Sequence, residues 1–133
     1  MNKQKIVLIE DDEILSKVLF SELDDAGFEI LQAFDGETGL ELVKTKKPDL
    51  VLLDLILPKK LGLVVLKELK DSPQTQSIPI VILSILGEDE DIKKALSLGA
   101  NDYLVKSNHA TAEIIEKIKN LLAKEQHPQA NKL

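Results

Sequence analysis

This chain contains short blocks of continuous apolar residues. They alternate with segments in which apolar residues recur every three or four positions. The continuous blocks are rich in isoleucine, leucine and valine, as is typical of strands buried on both faces of a sheet. The periodic segments are typical of helices that bury one face. The pattern therefore predicts five strands that alternate with five helices.

Turn and cap residues place the boundaries of these elements. Asp35 is the expected N-cap of the second helix, and Gly27 and Gly99 are expected to end the first and fourth helices. The predicted strands are residues 5–9, 28–33, 50–53, 79–83 and 100–105, and the predicted helices are residues 13–26, 35–46, 62–71, 88–98 and 110–124. In the fourth helix, apolar spacing predicts three inward residues: Ile92, Ala95 and Leu96. In the first helix, five residues fall at helical spacing: Ile14, Leu15, Val18, Leu19 and Leu23.

Alternating strands and helices with fully apolar strands predict an α/β fold: a doubly wound, five-stranded parallel sheet with helices on both faces. Among the common orders for such sheets, 2-1-3-4-5, the flavodoxin-like order, suits five strands. Ligands bind such folds at the carboxyl ends of the strands, where the strand order reverses between the first and third strands.

Four of the apolar runs end in residues that can do chemistry. Glu10, Asp11 and Asp12 follow the first strand, and Asp54 follows the third. Ser84 ends the fourth strand and Lys106 follows the fifth. Taken singly, a strand-end serine or lysine is more often an ordinary surface group. Because the carboxyl ends of parallel strands meet at one edge, the predicted topology gathers them all into one pocket.

The acids in this pocket point to a cation. Two carboxylates about 4 Å apart repel by roughly 4 kcal/mol at an effective dielectric near 20, so a cluster of three favours a counter-ion. Oxygen ligands without cysteine or histidine favour a hard ion such as Mg²⁺. For Asp12 and Glu13, acids at a helix start that favour the helix dipole are an equally good explanation. Asp54 has no such alternative, and a carboxylate there can accept a phosphoryl group.

Length, composition and charge argue against several classes of protein. The 133 residues fit one domain over residues 1–124, followed by a flexible C-terminal tail at 125–133. No apolar run approaches the roughly 20 residues that cross a bilayer, and no signal peptide is evident, so we expect a cytoplasmic protein. With no cysteine there is no thiolate metal site, and a net charge of −6 argues against direct binding of nucleic acid.

Together these residues resemble a receiver domain of a two-component response regulator, of the CheY-like type, over about residues 5–124. The resemblance rests on residues 9–12, on Asp54 with Pro58 and Gly62, on Ser84, and on residues 99–106. The spacings of 43 residues from Asp11 to Asp54, 30 to Ser84 and 22 to Lys106 are typical of that family.

The resemblance implies a role for each matching position. Asp54 would accept a phosphoryl group from a phosphohistidine on a histidine kinase or phosphotransfer protein. Asp11, Asp54 and the backbone carbonyl of Ile56 would hold Mg²⁺, with Glu10 acting through a bound water. Lys106 would pair with the phosphoryl oxygens. Catalysis would be confined to the domain's own phosphorylation and dephosphorylation.

The resemblance also implies a switch. Ser84 would turn to bond a phosphoryl oxygen, and Tyr103 would turn inward as Ser84 moves, although a half-buried core position also explains this tyrosine. The output would be a downstream protein that contacts the face made by the fourth helix, fifth strand and fifth helix, with a homodimer as an open alternative. No contact with a membrane is expected.

Several positions depart from the family pattern. Ser107 stands where the family usually has a proline with a cis bond, Ile85 replaces a small residue, and Leu61 replaces an acid. Ile56 and Leu86 occupy positions that tune dephosphorylation in the family, and both are large and apolar. We expect them to exclude the attacking water and prolong the acyl phosphate, while Ile85 narrows access for small phosphodonors.

Other functions remain as alternatives. A phosphatase with an aspartyl nucleophile needs a second aspartate two residues after the first, and Ile56 occupies that place. A flavodoxin-like binder of a phosphate-bearing cofactor would find its phosphate repelled by the acids at residues 10–12. A receiver-like interaction scaffold that is not phosphorylated stays open because of Ser107 and Ile85.

Overall fold

The computed structural model describes residues 3–126 and contains the five strands and five helices that the hydrophobic pattern predicts. The strands are β1 (Lys5–Ile9), β2 (Glu29–Ala33), β3 (Leu50–Leu53), β4 (Ile80–Ser84) and β5 (Asp102–Val105). The helices are α1 (Glu13–Asp25), α2 (Gly36–Lys46), α3 (Gly62–Asp71), α4 (Asp89–Ser97) and α5 (Thr111–Gln126). A short 3₁₀ helix at Lys106–Asn108, which the sequence pattern did not predict, follows β5.

The strands form one parallel sheet in the order β2-β1-β3-β4-β5, which confirms the predicted fold class. The register aligns the carboxyl ends of neighbouring strands. Ile9 pairs with Leu53, so the residues that follow them, Glu10 and Asp54, leave the sheet side by side. Ser84 pairs with Val105, which places Lys106 one residue beyond that pair.

Apolar side chains from the strands divide into two clusters, one on each face of the sheet. Alternate residues of β1 show the division: Ile6 and Leu8 join one cluster, whereas Val7 and Ile9 join the other. Side chains from α1 and α5 complete the first cluster, and those from α2, α3 and α4 complete the second. Burial on both faces explains why the strands are continuously apolar.

Two helices bury less of their predicted apolar face than the spacing indicated. In α1, Ile14 and Val18 are 79% and 40% exposed, because Ser16, Leu19 and Leu23 form the buried stripe. In α4, Leu96 is 46% exposed, so its inward placement was wrong. Only Ala95 of α4 is fully buried, since this helix contacts the sheet along a narrow strip.

The chain ends and loops differ slightly from the predicted boundaries. Helix α5 continues to Gln126, two residues past its predicted end, and the rest of the predicted tail, 127–133, lies outside the described residues. Gly27 and Gly99 follow their helices with positive φ angles of 98° and 108°, one residue beyond the C-caps. Within residues 3–126, no helix combines the length and the apolar character that crossing a bilayer requires.

Candidate functional site

Three acids meet where β1 and β3 end. The structure brings one carboxylate oxygen from each of Glu10, Asp11 and Asp54 within 4.8 Å of one another. Glu10 and Asp54 are almost fully buried, whereas Asp11 is exposed at the mouth of the cluster. The strand register therefore produces the acidic pocket that the sequence predicts.

Lys106 reaches across the strand ends to both buried acids. Its Nζ lies 2.9 Å from Glu10 Oε1 and 3.1 Å from Asp54 Oδ2. The contact with Asp54 matches the predicted convergence, but the shorter contact with Glu10 was not predicted. The 3₁₀ turn that begins at Lys106 shapes the segment after β5, and every peptide bond in the described chain is trans, including the one before Ser107.

Burial and crowding of charge perturb the ionisation of this pair. Burial raises the pKa of Glu10 to about 7, and the negative charge of Asp54 adds to that effect, while the hydrogen bond from Lys106 opposes it. For Lys106, burial acts to lower the pKa, but the hydrogen bond to Glu10 and the charge of Asp54 outweigh it, so the net pKa is raised. Lys106 thus stays positively charged across the neutral pH range, while the neighbouring Glu10 changes its protonation state within that range.

Backbone and side-chain contacts fix the carboxylate of Asp54. Its Oδ1 accepts a hydrogen bond from the backbone N–H of Ile56 at 3.2 Å, while Oδ2 faces Lys106. The backbone N–H of Asp54 donates to the Ile9 carbonyl at 3.0 Å, which continues the β1–β3 pairing past the end of the strands. These contacts hold the carboxylate with its two oxygens in different surroundings.

Ser84 and Tyr103 are joined through the backbone of Leu86. The Oγ of Ser84, which is fully buried, accepts the Leu86 N–H at 3.2 Å, and the Tyr103 hydroxyl donates to the Leu86 carbonyl at 2.6 Å. Sequence reasoning found both side chains but missed this connection, because a backbone group leaves no residue-specific signal. Burial raises the pKa of Tyr103, against a weaker opposing effect of Ser84, and the charges of Asp91 and Asp54 add to the rise.

The remaining predicted positions lie around the mouth of the pocket. Asp12 is the N-cap of α1, and its Oδ1 accepts the backbone N–H groups of Ile14 and Leu15 at 3.0 and 3.1 Å, which supports a helix-start role for this acid. Ile56 and Ile85 are exposed. Leu86 is partly buried and packs against the core cluster on the α2, α3 and α4 face.

The donor set of the pocket fits a hard divalent cation. The cluster places three carboxyl groups beside one ammonium, that of Lys106, so acidic groups outnumber basic groups there. Clustered carboxylate oxygens are the ligands that Mg²⁺ prefers, and this ion keeps part of its water shell, so a partial protein cage is sufficient. Receiver domains generally bind Mg²⁺ through acidic residues of this kind.

Comparison with known proteins supports the family resemblance that the sequence predicts. The sequence model of the response regulator receiver domain matches residues 6–119. The DNA-binding dual master transcriptional regulator RpaA of Synechocystis sp. (strain ATCC 27184 / PCC 6803 / Kazusa) is 36% identical over 129 residues, which are 96% of this chain and 53% of that protein. The chain thus spans about half the length of the curated relatives it matches.

Two solved structures share the fold, one of a metal-bound protein and one of a phosphorylated protein. The Mn²⁺-bound form of the response regulator Rcp1 superposes with a TM-score of 0.78 at 29% identity, covering 87% of this chain and 91% of that one. The phosphorylated cyanobacterial phytochrome response regulator RcpA superposes with a TM-score of 0.76, also at 29% identity, covering 92% and 94%.

Proposed function

The chain belongs to the response regulator receiver domain family, and on that basis we propose that Asp54 accepts a phosphoryl group from a phosphohistidine and thereby switches a protein-interaction surface. The observation that carries the proposal is the placement of Lys106 Nζ 3.1 Å from an almost fully buried Asp54 carboxylate, beside two further acids. We further propose that it acts in the cytoplasm, as the sequence predicts.

In the proposed transfer, an oxygen of Asp54 attacks the phosphorus of the phosphohistidine. A new O–P bond gives an acyl phosphate as the N–P bond breaks, and the imidazole nitrogen retains the electron pair. Such transfers depend on positioning and charge neutralisation. Lys106 supplies a positive charge next to Asp54, and the hydrogen bond from the Ile56 N–H orients the carboxylate.

A divalent ion completes the charge balance in this proposal. Asp11 and Asp54 would hold Mg²⁺ with the backbone carbonyl of Ile56, and Glu10 would act through a bound water. When bound, Mg²⁺ supplies positive charge that offsets the phosphoryl oxygens. The Mn²⁺ in Rcp1 and the phosphoryl group in RcpA support both parts of the proposal.

The proposed switch uses the connection through Leu86. If the Ser84 hydroxyl turns toward a phosphoryl oxygen, its bond to the Leu86 N–H is lost, and the loop that accepts the Tyr103 hydroxyl is free to move. Tyr103 lies on β5, so this change reaches the face made by α4, β5 and α5. Exposed Leu96 on α4 gives this face an apolar contact point for a downstream protein or a second copy.

Receiver domains interact with histidine kinases, and we propose a kinase or phosphotransfer protein as the donor. Three exposed apolar side chains on two loops at the rim support a protein donor, because they offer contact area that a small phosphodonor cannot use. These side chains are Ile56, Leu61 and Ile85.

The lifetime of the acyl phosphate is the second property we propose from these residues. Ile56 stands exposed two residues from Asp54, and its bulk would hinder an attacking water. Leu86 packs against the core, so we expect its contribution to be the smaller. Ile56→Asn alone should shorten the half-life of the phosphorylated protein, and Ile56→Asn with Leu86→Glu should shorten it further. An unchanged half-life in the double variant would show that these two side chains do not hinder the attacking water.

Beryllofluoride, a phosphoryl mimic, tests the proposed site without a cognate kinase. With Mg²⁺ present, we expect the wild-type protein to bind it as detected by ¹⁹F NMR, and the Asp54→Asn variant to lose the signal. Asp49→Asn is the matched control, because Asp49 lies just before β3 at the opposite edge of the sheet. Phosphotransfer from a histidine kinase should label the wild type and leave Asp54→Asn unlabelled. Labelling of the variant would refute the assignment, and a wild type that takes neither probe would favour a non-phosphorylated scaffold.

A further inference from the structure

The loop that carries Ile56 is held by the first turn of α2. The backbone N–H of Gly36 donates to the Pro58 carbonyl at 3.1 Å. A Cβ atom at position 36 would overlap the carbonyl oxygen of Lys60, so the two backbones touch directly. Only glycine allows α2 to begin this close to the loop between β3 and α3.

The other end of the same loop is held just as closely. A Cβ atom at position 62 would overlap the carbonyl oxygen of Asp54, and the Gly62 N–H donates to the Leu55 carbonyl at 2.9 Å. The loop of residues 55–61 is therefore fixed at its end by α3 and at its middle by α2. Backbone contacts of this kind leave little room for independent movement.

This loop sets the orientation of the proposed phosphoacceptor. The Ile56 N–H donates to Asp54 Oδ1, so a displacement of the loop alters the hydrogen bond that orients the carboxylate. An ion pair between Lys59 and Asp35 also links the loop to α2, but its 4.0 Å length and the exposure of Lys59 make it a weak contact. The close backbone contact at Gly36 is the stronger link.

We propose that Gly36 is a positioning residue for Asp54, acting through the loop of residues 55–61. The proposal rests on the proposed function, since it concerns the site that would take up Mg²⁺ and the phosphoryl group. It implies that occupation of the site and the contact between Gly36 and Pro58 stabilise each other, because coupling between two sites is reciprocal.

Amide hydrogen exchange on the wild-type protein tests the coupling without a substitution. Saturation with Mg²⁺ and beryllofluoride should slow exchange of the Gly36 amide by at least about fivefold, the lower end of usual coupling. The Lys47 amide, which donates to the Val43 carbonyl at the other end of α2, is the internal control and should not change. If the ligands bind and the Gly36 amide does not respond, the inference is wrong while the proposed function stands. If the wild type binds neither ligand, both fall.

A pair of variants separates positioning from general stability. Gly36→Ala should weaken Mg²⁺ binding by at least about fivefold and shift the Ile56 amide resonance in the metal-free protein. Val43→Ala, a fully buried position on α2 away from the loop, should lower stability but leave Mg²⁺ affinity within twofold. Equal losses of affinity in the two variants would refute a positioning role. If Gly36→Ala does not fold, the exchange measurement on the wild type decides.

Discussion

Removal of the Lys106 charge should destabilise the metal-free protein by an amount that increases with pH. Lys106→Met keeps most of the unbranched side chain and removes the ammonium that contacts Glu10 and Asp54. Both carboxylates are at most 5% exposed, so water cannot replace the lost partner. The variant therefore leaves two buried acids without their nearest cation.

The contacts set the size of the effect. Unit charges about 3 Å apart attract by roughly 5 kcal/mol at an effective dielectric near 20, before desolvation is subtracted. Removal of one partner from a buried ion pair typically costs about 3–5 kcal/mol. We expect a loss of this size in the free energy of unfolding at pH 9, where Glu10 would have to be charged.

The pH dependence follows from the raised pKa of Glu10. The folded pKa of Glu10 is about 7, against 4.5 for an unperturbed glutamate side chain, so between these pH values the folded state binds one more proton than the unfolded state. In that window stability falls by about 1.4 kcal/mol for each pH unit and stops falling above the folded pKa. Without Lys106 the folded pKa of Glu10 rises further, so the fall continues above pH 7. At pH 6 Glu10 is mostly protonated. We therefore expect Lys106→Met to lower the free energy of unfolding by a smaller amount, about 2 kcal/mol.

Urea unfolding followed by far-ultraviolet circular dichroism, with EDTA at pH 6 and pH 9, measures both values. Lys67→Met is the matched control, because Lys67 forms an exposed pair with Asp71 at 2.7 Å on the surface of α3. An exposed pair of this kind contributes little to stability, so its loss should be small and should not depend on pH. A Lys106→Met loss that is equal at the two pH values, or larger at pH 6, would refute the reasoning about Glu10.

Three further predictions use the same unfolding assay. Glu10→Gln should stabilise the metal-free protein by about 1–3 kcal/mol at pH 8 and change it little at pH 5, since it removes a buried charge whose pKa is raised to about 7; a loss at pH 8 would contradict this. Tyr103→Phe should cost about 1 kcal/mol, because it removes the hydrogen bond to the Leu86 carbonyl; no change would mean that this bond is weak. Leu52→Ala should lower the free energy of unfolding by about 3–5 kcal/mol, because it opens a cavity in the core beside the central strand. A loss below about 1 kcal/mol would indicate that neighbouring side chains fill the cavity.

The fold and the strand-end residues could be predicted from the sequence because both depend on local pattern. Continuous apolar runs fix the strands, and parallel topology then carries their carboxyl ends to one edge. The register that sets Ile9 beside Leu53 confirms that logic, since it delivers Glu10 and Asp54 as neighbours. The acidic pocket could therefore be predicted without knowledge of any side-chain contact.

The rest depended on contacts that no local pattern encodes. The exposure of Leu96 reflects how narrowly α4 lies on the sheet, which apolar spacing within the helix does not report. The contact between Lys106 and Glu10 depends on the path of the chain after β5. The contacts of Gly36 and of the Leu86 backbone join distant segments through peptide groups, which every residue possesses.

Tyr103 has a practical consequence for the study of this protein. The chain has one tyrosine and no tryptophan, so its near-ultraviolet emission comes almost entirely from a single phenol ring. The hydroxyl of that ring donates a hydrogen bond to the loop beyond Ser84, and the charge of Asp54 contributes to its raised pKa. Fluorescence of the unlabelled protein should therefore report directly on events at the strand ends, without an attached dye or an engineered reporter.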